Sequence, residues 1–362
     1  METLALKKNV VDVMGRLKLL YERKAGDRIL ASFQIPSPAL EDFRRSYPLD
    51  YDRYPDPAER IEFWDRLLAE RSGLEDDSVP SVYLTEMDQG LYGGLIGGDV
   101  RFMCHHETGW ISSMVKPILA DLSEFTPVPV DENHPWFQRF LNQLAVFVRK
   151  SQGRFGISHF ILIDGLNFVF ELVGATNTYL GLIDSPELVR RAIDFAFELN
   201  LKVQKAFFAH NPLFNGGTVS NMAQWLPGKI VSESIDPFHM TSVDYFETWG
   251  REPVERILGR FDGGVIHIHG NGRHLLEAAR SIRGLKAIKM ADDLRITPAF
   301  DLIGDFKRRV GDVPLIVEAG FGPFVERLER GDLPGGVFYQ VQGAPDAASA
   351  NRVMEKVRNY RT

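Results

Sequence analysis

His267 and His269 are the residues whose type and spacing most directly suggest chemistry. They lie in the stretch Gly263-Gly264-Val265-Ile266-His267-Ile268-His269-Gly270-Asn271-Gly272, an apolar run that ends in a glycine turn. Residues two apart on a strand point to one face, so the two imidazoles share a side and Ile266 and Ile268 share the other. Paired imidazoles can ligate one metal ion, or one ring can act as a general acid or base. The competing reading is two hydrogen-bonded pocket histidines without metal. Asp292, after LKAIKMA, and Glu318, in PLIVEAG, offer carboxylates at two further strand ends. Asp292 reads as a third catalytic group and Glu318 as a third metal ligand, with salt bridging or helix capping as the alternative for each. Glu107, Trp110, Asp236 and Asn271 are the candidate substrate-binding residues. His105-His106-Glu107 resembles a metal patch, but neighbouring positions on an extended chain face opposite ways, so at most a subset converges.

These residues need strands to position them. Eight β-rich runs alternate with helical stretches, at 28–33, 81–85, 158–163, 229–233, 264–269, 285–290, 313–318 and 336–341. Several are nearly continuous apolar runs, as expected of parallel strands covered on both faces. Eight such runs predict an α/β fold of the (β/α)8 TIM-barrel type, with 1–362 forming one domain and active groups at the carboxyl ends of the strands. The stretch 86–150 is too long for a simple connection and predicts an inserted hairpin or lid, centred on Val100 to Ser113. Ser185-Pro186 and Thr241 with Asp244 read as helix starts, and Pro253 as a bend or break shortly after the second. The Gly93-Gly94-Leu95-Ile96-Gly97-Gly98 run lacks the phosphate-cradle order and reads as a turn or tight packing.

Composition narrows the functions. The chain has 44% hydrophobic and 25% charged residues and a formal net charge of −7, which disfavours nucleic-acid and anionic-membrane partners. A single cysteine, Cys104, can form no internal disulfide and fits a reducing, cytoplasmic setting. The N-terminal stretch reads as an amphipathic helix with Val10, Val13, Met14, Leu17 and Leu20 on one face, not as a signal peptide. The most apolar window, 157–175, is interrupted by Asp164, Asn167 and Glu171 and does not read as a membrane span.

Four stretches carry a resemblance to the uroporphyrinogen decarboxylase superfamily. They are LIDSPELVRRAIDF, SESIDPFHMTSVDYFETWGREPVERI, VIHIHGNGRHLLEAARSIRGLKAIKM and GVFYQVQGAPDAASANRVMEKVRNY, together spanning roughly residues 155 to 360. The resemblance implies a barrel enzyme of one of two branches. One decarboxylates uroporphyrinogen without a cofactor and grips its carboxylates with an N-terminal arginine motif. Here the corresponding strand reads Ile29-Leu30-Ala31-Ser32-Phe33-Gln34, with no arginine after Arg28. The other branch transfers methyl groups between a corrinoid protein and a thiol, using zinc held by a His-x-Cys pair and a later cysteine. His267 matches the family histidine and His269 stands in place of the cysteine, while no cysteine falls near Val341 to Gly343.

The chain therefore resembles a divergent member of the methyltransferase branch. This implies zinc on His267, His269 and Glu318, a small-molecule substrate, a corrinoid carried by a partner protein, and a homodimer. Two alternatives stand beside it. One is a cofactor-free decarboxylase, with Asp292 or a histidine protonating the product and loop arginines such as Arg154 or Arg295 holding carboxylates. The other is a non-catalytic small-molecule-binding barrel.

Overall fold

Alternation of side-chain direction along short apolar runs organises this molecule, and the computed structural model describes it from residue 2 to residue 362. The first strands are β1 (Ile29–Phe33), β2 (Ser81–Tyr83), β3 (Val100–His105), β4 (Trp110–Val115), β5 (Gly156–Ser158) and β6 (Gly217–Ser220). They are followed by β7 (Gln224–Pro227), β8 (Val231–Ser234), β9 (Gly264–Ile268), β10 (Leu285–Met290), β11 (Leu315–Gly320) and β12 (Val337–Gln342). Six of these strands pair in one parallel sheet, in the order β1-β12-β11-β10-β9-β8, and β2 pairs in parallel with β5. Helices connect most neighbouring strands, as parallel pairing requires. The expected run at 158–163 forms a regular strand only up to Ser158, and then meets β8 through a single parallel bridge, Ile161 with Ser232.

The six-stranded sheet has two distinct faces. Ile29, Ala31, Ile266, Ile268, Ile288, Met290, Leu315 and Val317 belong to the larger apolar core beneath the helices. The opposite face carries Leu30, Val265, Ala287, Ile316 and Phe338, which pack into a second core with the helix Val10–Tyr21 and with Trp225. Two residues further along each of those strands, the same face becomes polar: Ser32, His267, Lys289, Glu318 and Gln340. Apolar side chains thus fill one end of that face, and chemistry-bearing groups gather at the carboxyl ends of the strands.

The free edge of β1 is satisfied by side chains. The amides of Ala31 and Phe33 donate to Asp77 Oδ2 (3.0 Å) and Asp76 Oδ2 (2.8 Å), and the Asp77 amide donates to the Ala31 carbonyl at 2.8 Å. Lys7 Nζ pairs with Asp76 at 2.6 Å within this buried cluster, so each buried carboxylate has a partner.

The insertion is a hairpin, as expected, with β3 antiparallel to β4. Gly94 leaves room for the Trp136 indole, whose ring would lie 2.8 Å from a Cβ, so the glycine run serves tight packing. Pro253 does not break its helix. It lies in the first turn of Arg251–Leu258, and a π-turn at Phe246–Gly250 absorbs the irregularity just before it. Among the described residues, no helix is long and apolar enough to cross a membrane.

Candidate metal centre and the cavity around it

His267 is placed by register. It stands beside Ser234 of β8 and Lys289 of β10, and the residue is 8% exposed. His269 follows the end of β9 on the same side, with ring centroids 5.1 Å apart. Asp236 begins a short 3-10 turn after β8 and meets both rings: Oδ1 lies 3.1 Å from His267 Nε2, and Oδ2 lies 4.0 Å from His269 Nε2. One donor atom from each of Asp236, His267 and His269 fits within 4.8 Å of the other two. Zinc bonds of about 2.0–2.2 Å place tetrahedral ligand atoms roughly 3.3–3.5 Å apart, a spacing that these distances bracket.

The far nitrogen of His269 is held too. Its Nδ1 lies 2.8 Å from Asp293 Oδ1, and Asp293 Oδ2 accepts from the Gly270 amide at 2.8 Å. A carboxylate on the far nitrogen of an imidazole fixes the ring and its tautomer and turns Nε2 toward the open side, an arrangement typical of metal-ligating histidines. Burial alone raises the Asp293 carboxyl, but the His269 hydrogen bond and the Gly270 amide bring it below the ordinary carboxylate range.

A third imidazole backs the group. His239 is 6% exposed, and its Nδ1 lies 3.6 Å from Asp236 Oδ1. Burial pushes His239 down to about 4, so this ring is neutral at physiological pH. A Cβ at position 272 would lie 2.0 Å from that ring, which explains why Gly272 is glycine. Burial also tends to raise Asp236, yet the charge and hydrogen bond of His267, with His239 and His269 behind it, hold that carboxyl well below its ordinary range. Asp236 is therefore an ionised carboxylate ringed by nitrogen donors.

Asp236, His267 and His269 line one wall of a cavity of about 750 Å³. Glu107 and Trp110 from the insertion line it as well, and the Tyr83 ring packs edge-on against Trp110 at 5.1 Å. Asp88 faces the same space and accepts from the Tyr83 hydroxyl at 3.0 Å. Burial lifts Asp88 to about 6, so the cavity holds one carboxyl driven down and another driven up. Lys289 Nζ donates to Glu318 Oε1 at 2.8 Å and to Gln340 on the cavity floor.

Four sequence expectations change. Glu318 reaches the cavity but is engaged by Lys289 and lies outside the group of residues that could hold a metal, in which Asp236 joins the two histidines. Asp292 is directed away from the cavity, pairing with Arg273 at 3.1 Å and accepting from the Ala299 amide at 2.7 Å, and the carboxylate at His269 is its neighbour Asp293. Asn271 is exposed on the 3-10 turn and does not line the cavity. Arg154 pairs with Asp65 and Arg295 is exposed, so neither enters the cavity, whose wall contains one arginine, Arg71. Of the His105-His106-Glu107 run only Glu107 faces the space, because His105 bonds Ser112 and His106 bonds the Tyr47 carbonyl.

Sequence reasoning missed Asp293, His239, Asp88 and Lys289. Two signals were legible: the Asp236-x-x-His239 spacing, and a lysine set inside the apolar run LKAIKM.

No family model matches the sequence, and no curated protein does. Among solved structures the chain is similar to a methyltransferase from Methanosarcina mazei, with a TM-score of 0.61 and 14% identity over 96% of this chain and 98% of that one. The likeness lies in the fold. An overlap with the homocysteine methyltransferase MmuM from Escherichia coli, in apo form, has a TM-score of 0.24 and 17% identity over 49% of this chain and 88% of that one, and carries no argument.

Proposed function

We propose that this chain is a metal-dependent methyltransferase of the uroporphyrinogen decarboxylase-like type, with zinc held by Asp236, His267 and His269. The observation that carries the reading is the convergence of those three donors, with His269 fixed from behind by Asp293. Two nitrogens and one oxygen form a donor set that zinc accepts, and a zinc held there would leave the nucleophile to complete its coordination. Bound zinc would lower the pKa of the methyl acceptor and so supply the nucleophile. Replacing cysteine ligands with His269 and Asp236 makes the set harder, which suits oxygen acceptors at least as well as thiols.

The residues divide the remaining work. Asp293 and His239 orient the donors, Trp110 and Tyr83 wall the space against water, and Asp88 is poised to take up a proton near neutral pH. The methyl donor in this reading is a corrinoid on a separate protein docking over the strand ends. We also read the fold as a closed eight-stranded barrel in one domain. The Ile161–Ser232 bridge, which continues the sheet beyond β8, supports that closure.

The test is metal analysis of the full chain purified without a histidine tag, followed by methyl-transfer assays with a methylated corrinoid. One zinc per chain, lost in His267→Ala, supports the proposal. A metal-free protein, or stoichiometric iron, overturns the zinc assignment.

A further inference from the structure

A second cavity, of about 150 Å³, lies beside β1 toward the amino end of the sheet, away from the histidines. Arg16, Arg28, Arg358 and Arg361 are all in its wall. They come from distant parts of the sequence: the helix Val10–Tyr21, the residue before β1, and the end of the chain around the helix Ala347–Asn359. The wall includes one carboxylate, Asp77. Asp77 already accepts from Arg16 Nε at 2.7 Å and from the Ala31 amide at 3.0 Å, so it balances one guanidinium and leaves three.

Carboxylates outside the wall reach two of these three, and only loosely, and the Arg358 and Arg361 guanidiniums also donate to backbone carbonyls. Arg358 Nη1 is 3.5 Å from Glu75 and Arg361 Nε is 3.8 Å from Asp27, both through part-exposed side chains. Pairs of that kind contribute little. Arg28 is exposed and forms no ion pair among the described residues. Converging like charges repel, and the arrangement is relieved by an anion shared among them. The local excess of positive charge contrasts with a formal net charge of −7 for the whole chain.

We propose that this cavity binds a phosphate or phosphomonoester group, at a site separate from the metal centre. Guanidinium forks match the oxygens of a tetrahedral oxyanion in bidentate pairs. A monocarboxylate would occupy one fork and leave the others unmatched, whereas a phosphate dianion offers oxygens to several at once. The volume equals that of about five waters at roughly 30 Å³ each, room for the anion with part of its hydration. Such a ligand bridges the first helix, the first strand and the last helix, so it stabilises the fold by tying both ends of the chain together.

The test is titration of the full chain with inorganic phosphate at constant ionic strength, followed by calorimetry and by thermal melting. Saturable binding with a raised melting temperature is expected. An Arg28→Gln/Arg361→Gln double variant should weaken binding about a hundredfold, or about tenfold per charge-assisted contact, with its circular dichroism and metal content unchanged. Should that variant fold poorly, Arg28→Lys keeps the charge, loses the fork, and should weaken binding about tenfold. Absence of saturable binding overturns the proposal, as does an equal melting shift with sodium chloride at matched ionic strength. Undiminished affinity in the arginine variants does the same. Competition by glycerol phosphate supports a phosphomonoester ligand, and failure to compete overturns that arm and assigns the site to free phosphate.

Discussion

Glu233 and Asp236 lie three positions apart at the end of β8, yet their carboxyls are driven in opposite directions. Asp236 lies past the strand end on the cavity side, where three imidazoles surround it and keep it ionised. Glu233 points to the helix-covered face, is 1% exposed, and shares that dry layer with Asp164. Neither Asp164 oxygen, nor Glu233 Oε2, has a hydrogen-bond partner among the described residues. Burial holds Asp164 up to about 7 and drives Glu233 well above its ordinary value, where the Asp164 charge lifts it further. Both groups are carboxyls, but the Asp236 side chain is 38% exposed and Glu233 1%, so burial and the nature of the neighbours together decide which carboxyl can be a ligand and which must keep a proton.

The sharpest way to break this contrast is to remove what holds Asp236 down. His267→Ala should abolish stoichiometric zinc and slow methyl transfer by about 10³-fold, the scale of several kcal/mol of metal activation. Metal content by mass spectrometry and initial rates check this, and a variant retaining both would erase the distinction between the two carboxyl sites. Asp293→Ala acts one step further out. It should weaken zinc binding about 10–100-fold, read by chelator competition, with the fold intact.

The protonated side of the contrast predicts a pH dependence. Asp164 keeps a proton in the folded chain that it loses in the unfolded one, because its folded value is raised to about 7. Its stabilising contribution is complete below the unfolded value near 4 and is lost as pH rises through about 7. Stability should therefore fall as pH rises from about 4 to about 7, by up to about 1.4 kcal/mol per pH unit for this carboxyl, and level off above that, and Asp164→Asn should flatten the slope. A steeper slope in the variant would contradict the assignment. The smallest effect is expected at Glu318, which is 43% exposed and engaged by Lys289. Glu318→Gln should leave zinc affinity within about twofold, and a tenfold loss, about 1.4 kcal/mol, would return it to the ligand set.

Much of the fold was legible because a strand's face pattern is local. Runs such as VIHIH and LKAIKM reveal their strands and show which residues share a side, and the hairpin at 100–115 followed from a connection too long for its neighbours. The regular strand expected across 158–163 stops at Ser158, and the segment joins its neighbour by one bridge, so its apolar character marked burial more faithfully than pairing.

The site was half legible. Sequence by itself determined that His267 and His269 project together from the end of an apolar strand, because the two-residue period of an extended chain requires it. Tertiary structure decided which carboxylate meets them. Asp236, Asp292, Asp293 and Glu318 all lie near strand ends, and nothing in their spacing ranks them. Only the packing of the turns after β8 and β10 turns Asp236 and Asp293 onto the imidazoles, while Asp292 and Glu318 are drawn to Arg273 and Lys289. Face periodicity is a property of the backbone, whereas ligand choice depends on angstrom-scale distances between segments far apart in sequence.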